Sequence, residues 1–87
     1  MKNINEKRIS DFLIKLLEEK GPIPKKKKNN ILTYRYIDDA HIDSLAILGF
    51  INKIENKFKI KFSAKDTNSD EFRYIRGLSR IIKKKII

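Results

Sequence analysis

The spacing of apolar residues between 45 and 58 is what most constrains this chain. Leu45, Leu48, Ile51 and Ile54 form one line and Ile47, Phe50, Ile54 and Phe58 a second beside it, and steps of three and four residues put both lines on one helix. Similar spacing recurs on either side. Ile9, Phe12, Leu13, Leu16 and Leu17 make a stripe facing away from Lys7, Ser10, Asp11, Lys15 and Glu18, and Ile75, Leu78, Ile81 and Ile82 make another near the C-terminus. One stretch, Phe58-Lys59-Ile60-Lys61-Phe62, alternates with period two, but no second strand is there to pair with it. It is expected to be an extended loop that buries Ile60, Phe62 or both. The fold class that follows is all-α, a small four-helix bundle of three longer helices and one short one.

Local signals place the boundaries. Asn3 followed by Glu6 fits a capping box, so the first helix should run from about Ile4 to Lys20, where Gly21 and Pro22 stop it. Asp43 is a good N-cap, which predicts a second helix over about 44–58 with Ser44 at its first position. Asn68, Ser69 and Asp70 supply caps for a short helix at 69–73, followed by a last helix at 74–85 whose Lys83–Lys85 run suits a helix C-terminus. Gly77 inside it costs about 1 kcal/mol relative to alanine. A long loop, 22–42, joins the first two helices. Its first half, with Pro24, Lys25–Lys28 and Asn29-Asn30, has no means of burying surface and should form a solvated bulge. Its second half, with Ile31, Leu32, Tyr34, Tyr36, Ile37 and Ile42, is apolar enough to cross a core. Tyr34, Tyr36 and Tyr74 should sit at core edges. Phe50, Ile54 and Phe58 should pack on Leu13, Leu16 and Ile81.

Composition narrows the function. At 87 residues the chain is expected to be one domain with a modest core. With no cysteine there is no disulfide framework, thiolate nucleophile or zinc–thiolate site. The single histidine, His41, has no carboxylate or nucleophile beside it in sequence and reads as a turn residue, so neither a metal site nor a catalytic group is expected. Residues Met1 to Glu6 lack the apolar core of a signal peptide, and no apolar run is long enough to span a membrane. A cytoplasmic location is expected. The formal charge of +10 raises the possibility of a nucleic-acid binder. The lysines, however, lie in Lys25–Lys28, in Lys83–Lys85 and singly at Lys53, Lys57, Lys59, Lys61 and Lys65, without a recognition helix or an aromatic stacking platform.

Outward from Asp43-Ser44-Leu45 the chain resembles a known family. Tyr36-Ile37-Asp38-Asp39-Ala40-His41-Ile42-Asp43-Ser44-Leu45 is similar to the loop and attachment site of acyl carrier proteins, and Ile54-Glu55-Asn56-Lys57-Phe58-Lys59-Ile60-Lys61-Phe62 to the helix end and loop that follow. Asp70-Glu71-Phe72-Arg73-Tyr74-Ile75, with Leu78, Ile81 and Ile82, resembles that family's short third helix and its fourth. The resemblance is close from Tyr36 to Ile82 and looser before. It implies that Ser44 carries 4′-phosphopantetheine, whose thiol holds an acyl or aminoacyl group as a thioester. It implies three kinds of partner: a phosphopantetheinyl transferase, an acyl- or aminoacyl-activating ligase, and an acyltransferase or synthase. In the transferase complex Asp43 would lie next to the magnesium ion, and Leu45 and Leu48 would offer an apolar docking surface. The carrier is not itself an enzyme, and a monomer is expected.

In one respect the chain departs from that family. Where many acyl carrier proteins place acids along the second helix, this sequence has Ala46, Gly49, Lys53 and Asn56, with Glu55 the main acid retained. Docking is therefore expected to use Leu45, Leu48, Asn52, Lys53 and Glu55, and to serve dedicated clients in a specialised pathway. A small basic nucleic-acid binder and an unmodified, carrier-like interaction subunit are the alternatives.

Overall fold

A computed structural model of the chain describes residues 5–86. Among these the periodic stripes become three longer α-helices, α1 (Glu6–Lys20), α2 (Ile47–Phe58) and α4 (Ile75–Ile86), with a short α3 (Ala64–Asn68) between the last two. No strand occurs among the described residues, and no helix there is long and apolar enough to cross a membrane. The core is built from Ile9, Leu13 and Leu17 of α1, Phe50 and Ile54 of α2, and Ile75, Leu78 and Ile82 of α4, with Tyr36 and Phe72 buried among them.

The residues Asn3 and Ile4, at which the first helix was expected to begin, lie outside the described region. Within it Asn5 is the cap, its side chain accepting the Arg8 N–H at 2.9 Å. Ser10, expected on the polar side of this helix, is instead buried. Its hydroxyl meets that of Ser79 on α4 at 2.8 Å, and Ser79 in turn donates to the Ile75 carbonyl. Two small hydroxyls that satisfy each other can sit at a helix–helix contact without an unpaired polar group.

The connection 22–42 is more structured than its composition suggests. Ile23, in the half expected to bury nothing, is buried, and the lysine run folds as a 3-10 helix over Lys25–Thr33 with a kink at Asn30. Pro24 presets the backbone and its carbonyl accepts the Lys27 N–H at 2.9 Å. Lys25, Lys26 and Lys28 are exposed, as a solvated segment requires, whereas Lys27 lies 3.8 Å from Asp39. In the second half Tyr34, Tyr36 and Ile42 are buried; Tyr36 is enclosed in the core itself, not at its edge, and its hydroxyl donates to the Phe72 carbonyl.

Helix α2 ends at Lys59, which takes a left-handed conformation (φ 57°), and the Lys59 and Ile60 N–H groups both turn back to the Glu55 carbonyl. The stretch 60–63 is loop as expected, with Ile60 buried and Phe62 half-buried edge-on to Phe72 at 5.4 Å. The short helix falls earlier than expected. Ser63 and Asp66 form a reciprocal capping box that starts α3 at Ala64, and 69–73 holds a 3-10 helix, Asp70–Arg73. Phe58 also differs from expectation. It is half-buried and meets Phe12 edge-on at 5.4 Å, so it closes the rim of the core, while Phe50 and Ile54 fill the interior.

Candidate functional site

The turn that carries Ser44 is made by Asp43. Its Oδ1 accepts the Ala46 N–H at 2.8 Å, and its carbonyl accepts both Ala46 and Ile47 N–H, at 3.2 and 3.1 Å. Sharing one carbonyl between the third and fourth residues tightens Ser44–Ala46 into a turn, so regular helix begins at Ile47, three residues after Ser44 was expected to start it. Asp43 and Ser44 are exposed, and Ser44 stands two residues before the N-cap Ala46, short of the first turn in which the α2 dipole would favour a phosphate ester.

The outer face of α2 is unusual for a helix of a small protein. Leu48 is 67% exposed and Leu45, in the turn just before the helix, 89%, the only two large apolar residues so exposed among the described residues. Gly49, Asn52, Lys53 and Asn56 complete this face. Lys53 reaches back to Glu19 of α1 at 3.2 Å. Glu55 is further along the Leu48 line, but its side chain is only 15% exposed and its carboxylate accepts the Phe62 N–H at 2.8 Å. That carboxylate secures the loop after α2, and little of the Glu55 side chain is open to a partner. Beside Ser44 is an open hollow of roughly 380 Å³ lined by Ile37, Ala40, Ile42, Asp43, Ser44 and Ile47.

Two networks hold the loop leading to this turn. In the first, His41, a turn residue as expected, also serves as a latch. Its Nε2 lies 2.7 Å from the Leu17 carbonyl and its Nδ1 2.9 Å from the Tyr34 hydroxyl. A carbonyl can only accept, so Nε2 carries the proton, and in the neutral ring Nδ1 accepts from Tyr34. The ring thus ties the end of α1 to residues 34 and 41. Burial pushes the Tyr34 hydroxyl above its ordinary pKa, with Asp39 adding to the effect. No signal in the sequence pointed to this pairing, because the partners lie seven and twenty-four residues away.

In the second network Asp38 receives Arg73 on one oxygen and Arg35 on the other, the latter at 2.6 Å, while Arg35 also reaches Asp70 and lies over the Tyr74 ring. The hydrogen bonds from Arg73 and then Arg35 pull the Asp38 carboxyl down to about 2. Two carboxylates and two guanidinium groups alternate here, joining the loop to the segment before α4. Among the described residues no cluster of histidine, aspartate and glutamate could hold a metal ion.

No protein-family model, curated protein or solved structure matches this chain.

Proposed function

We propose that this protein is a carrier, with 4′-phosphopantetheine on Ser44 bearing an acyl or aminoacyl group. One observation carries the reading: an exposed serine in the turn that Asp43 closes ahead of α2, beside two large leucines, Leu45 in that turn and Leu48 on the helix, that face solvent. Ile47, Phe50 and Ile54 are accounted for by packing, but Leu45 and Leu48 are not. Paired exposed leucines beside a candidate attachment point are what a transient protein contact would cover.

In this reading the chain supplies a nucleophile and its placement. Asp43 fixes the turn by capping it, which leaves the Ser44 hydroxyl accessible. Attachment forms a bond between Ser44 Oγ and phosphorus as the pyrophosphate of coenzyme A breaks, adenosine 3′,5′-bisphosphate leaves, and the hydroxyl proton passes to a base of the transferase. The attached group supplies a thiol on a flexible tether, which raises the cargo's effective concentration at each client without tight binding. The apolar hollow of Ile37, Ala40, Ile42 and Ile47 gives the base of that tether a surface to rest on. We place the protein in the cytoplasm as a monomer served by a phosphopantetheinyl transferase, an activating ligase and an acyltransferase or synthase.

Intact-mass measurement tests the proposal. Incubated with coenzyme A and a broad-specificity phosphopantetheinyl transferase, the wild type should gain one phosphopantetheine and Ser44→Ala none. A wild type left unmodified by a transferase active on another carrier would overturn the reading and favour an unmodified interaction subunit.

A further inference from the structure

Helix α4 shows a different face. Its inner positions, Ile75, Gly77, Leu78, Ser79, Ile81 and Ile82, are buried, and the positions that are exposed are Arg76, Arg80 and Lys84. Every exposed position of this helix is therefore a cation, and the three are spaced four residues apart. Half-buried Lys83 lies on the same side, and the helix contains no acid.

This arrangement is unfavourable for the helix taken alone. Like charges one turn apart destabilise it, and the stripe holds two such pairs in succession. Of the nearby acids, Asp70 and Asp38 are engaged by Arg35 and Arg73 and Asp66 by Lys85; Glu71 shares an open hollow with Lys84, yet no acid of the described residues comes within ion-pair distance of Arg76, Arg80 or Lys84. An anion from outside would neutralise all three.

We propose that the outer face of α4 is a docking surface for an acidic helix of a partner protein. The repeat favours this occupant. Residues four apart on a helix rise about 6 Å, so a facing helix with carboxylates at the same interval meets the stripe in register over three contacts. Each arginine fork can grip a carboxylate bidentately. A membrane suits the face less well, since the apolar side of α4 is spent in the core and cannot enter lipid. A nucleic acid would find no aromatic or neutral hydrogen-bonding side chain exposed on this helix with which to stack on or read a base. The surface lies on a different element from Ser44 and does not depend on its modification.

The test uses the unmodified full chain and a fluorescent, end-blocked helical peptide with glutamate at every fourth position over three turns, read by anisotropy at low salt. The triple variant Arg76→Glu, Arg80→Glu, Lys84→Glu should weaken binding at least tenfold. A charge-matched variant, Lys25→Glu, Lys26→Glu, Lys28→Glu, should stay within about twofold of wild type. Equal losses in both variants would show that net charge alone drives binding and would overturn the proposal. So would tighter, stripe-dependent binding to a mixed-sequence DNA duplex or to phosphatidylserine vesicles than to the peptide. Circular dichroism of both variants confirms that they fold. Should the stripe variant unfold, Arg80→Gln alone should still weaken the peptide severalfold, and an unchanged affinity would overturn the proposal.

Discussion

Asp38 shows how much of this small fold depends on single polar contacts. It is held by Arg73 and Arg35, which come from opposite ends of a gap of more than thirty residues, and its carboxyl lies well below the ordinary carboxylate value near 3.9. The sign of the resulting pH dependence follows. Because the folded-state value is depressed, the ionised carboxylate contributes stability that is fully present above about pH 4 and is lost as pH falls toward 2. Asp38→Asn should therefore melt lower than wild type at pH 7, and the gap should close progressively between pH 4 and pH 2 in a series of thermal melts. A gap that stayed constant across that range would show that the carboxylate charge is not what holds the loop. Asp66 behaves in the same direction: against the cost of its burial, hydrogen bonds from Lys85 and Ser63 hold it below the usual range. Neither network could be read from the chain, since an aspartate in a turn names no partner. His41 was hidden for the same reason.

The two interior helix glycines give the clearest contrast between elements. At Gly49 on α2 an added Cβ meets nothing within 4 Å, whereas at Gly77 on α4 it would lie 2.3 Å from the carbonyl oxygen of Glu71. The 3-10 helix Asp70–Arg73 packs directly on α4 there, and backbone cannot rotate away as a side chain can. Gly49→Ala should stabilise by about 1 kcal/mol through helix propensity alone, a rise of roughly 4–8 °C in Tm for a domain of this size. Gly77→Ala should lower Tm instead, with overpacking costing about 1–3 kcal/mol. If both alanines stabilised, the close approach of these elements would be wrong. Sequence alone priced Gly77 by propensity and could not see why it was there. The long helices were legible because a stripe of apolar residues at three-four spacing has one reading. The short elements were not. The capping pair Ser63 and Asp66 competes in sequence with Asn68, Ser69 and Asp70, and the 3-10 helix over the lysines has no periodic apolar signal, being set by Pro24 and by Ile23 anchored in the core.

At the scale of the whole molecule the surface divides into two faces of opposite chemistry, and they should respond differently to salt. The α2 face beside Ser44 is apolar at Leu45 and Leu48, its acid Glu55 is occupied by the Phe62 amide, and its cation Lys53 is paired with Glu19. The α4 face is wholly cationic where it is exposed. The helical architecture was foreseeable from local pattern, but neither the turn at Ser44–Ala46 nor this division was, because exposure is decided by tertiary packing. If a transferase meets the α2 face by covering its leucines, phosphopantetheine loading should fall less than about twofold between 50 and 300 mM salt, since exposed charge pairs are what salt screens most. Leu48→Glu puts a charge in the desolvated centre of that contact and should cost at least about 1.4 kcal/mol, a tenfold loss in kcat/KM for loading. Lys53→Glu should cost less, and its melting temperature should be measured alongside because it sets two acids against each other at Glu19. Reversal of Arg76, Arg80 and Lys84 should leave loading within about twofold. The opposite pattern, in which loading drops steeply with salt and Lys53→Glu is worse than Leu48→Glu, would mean that charge and not the leucine pair brings the transferase to Ser44. That result would remove the apolar docking surface and leave the modification of Ser44, read by mass, untouched.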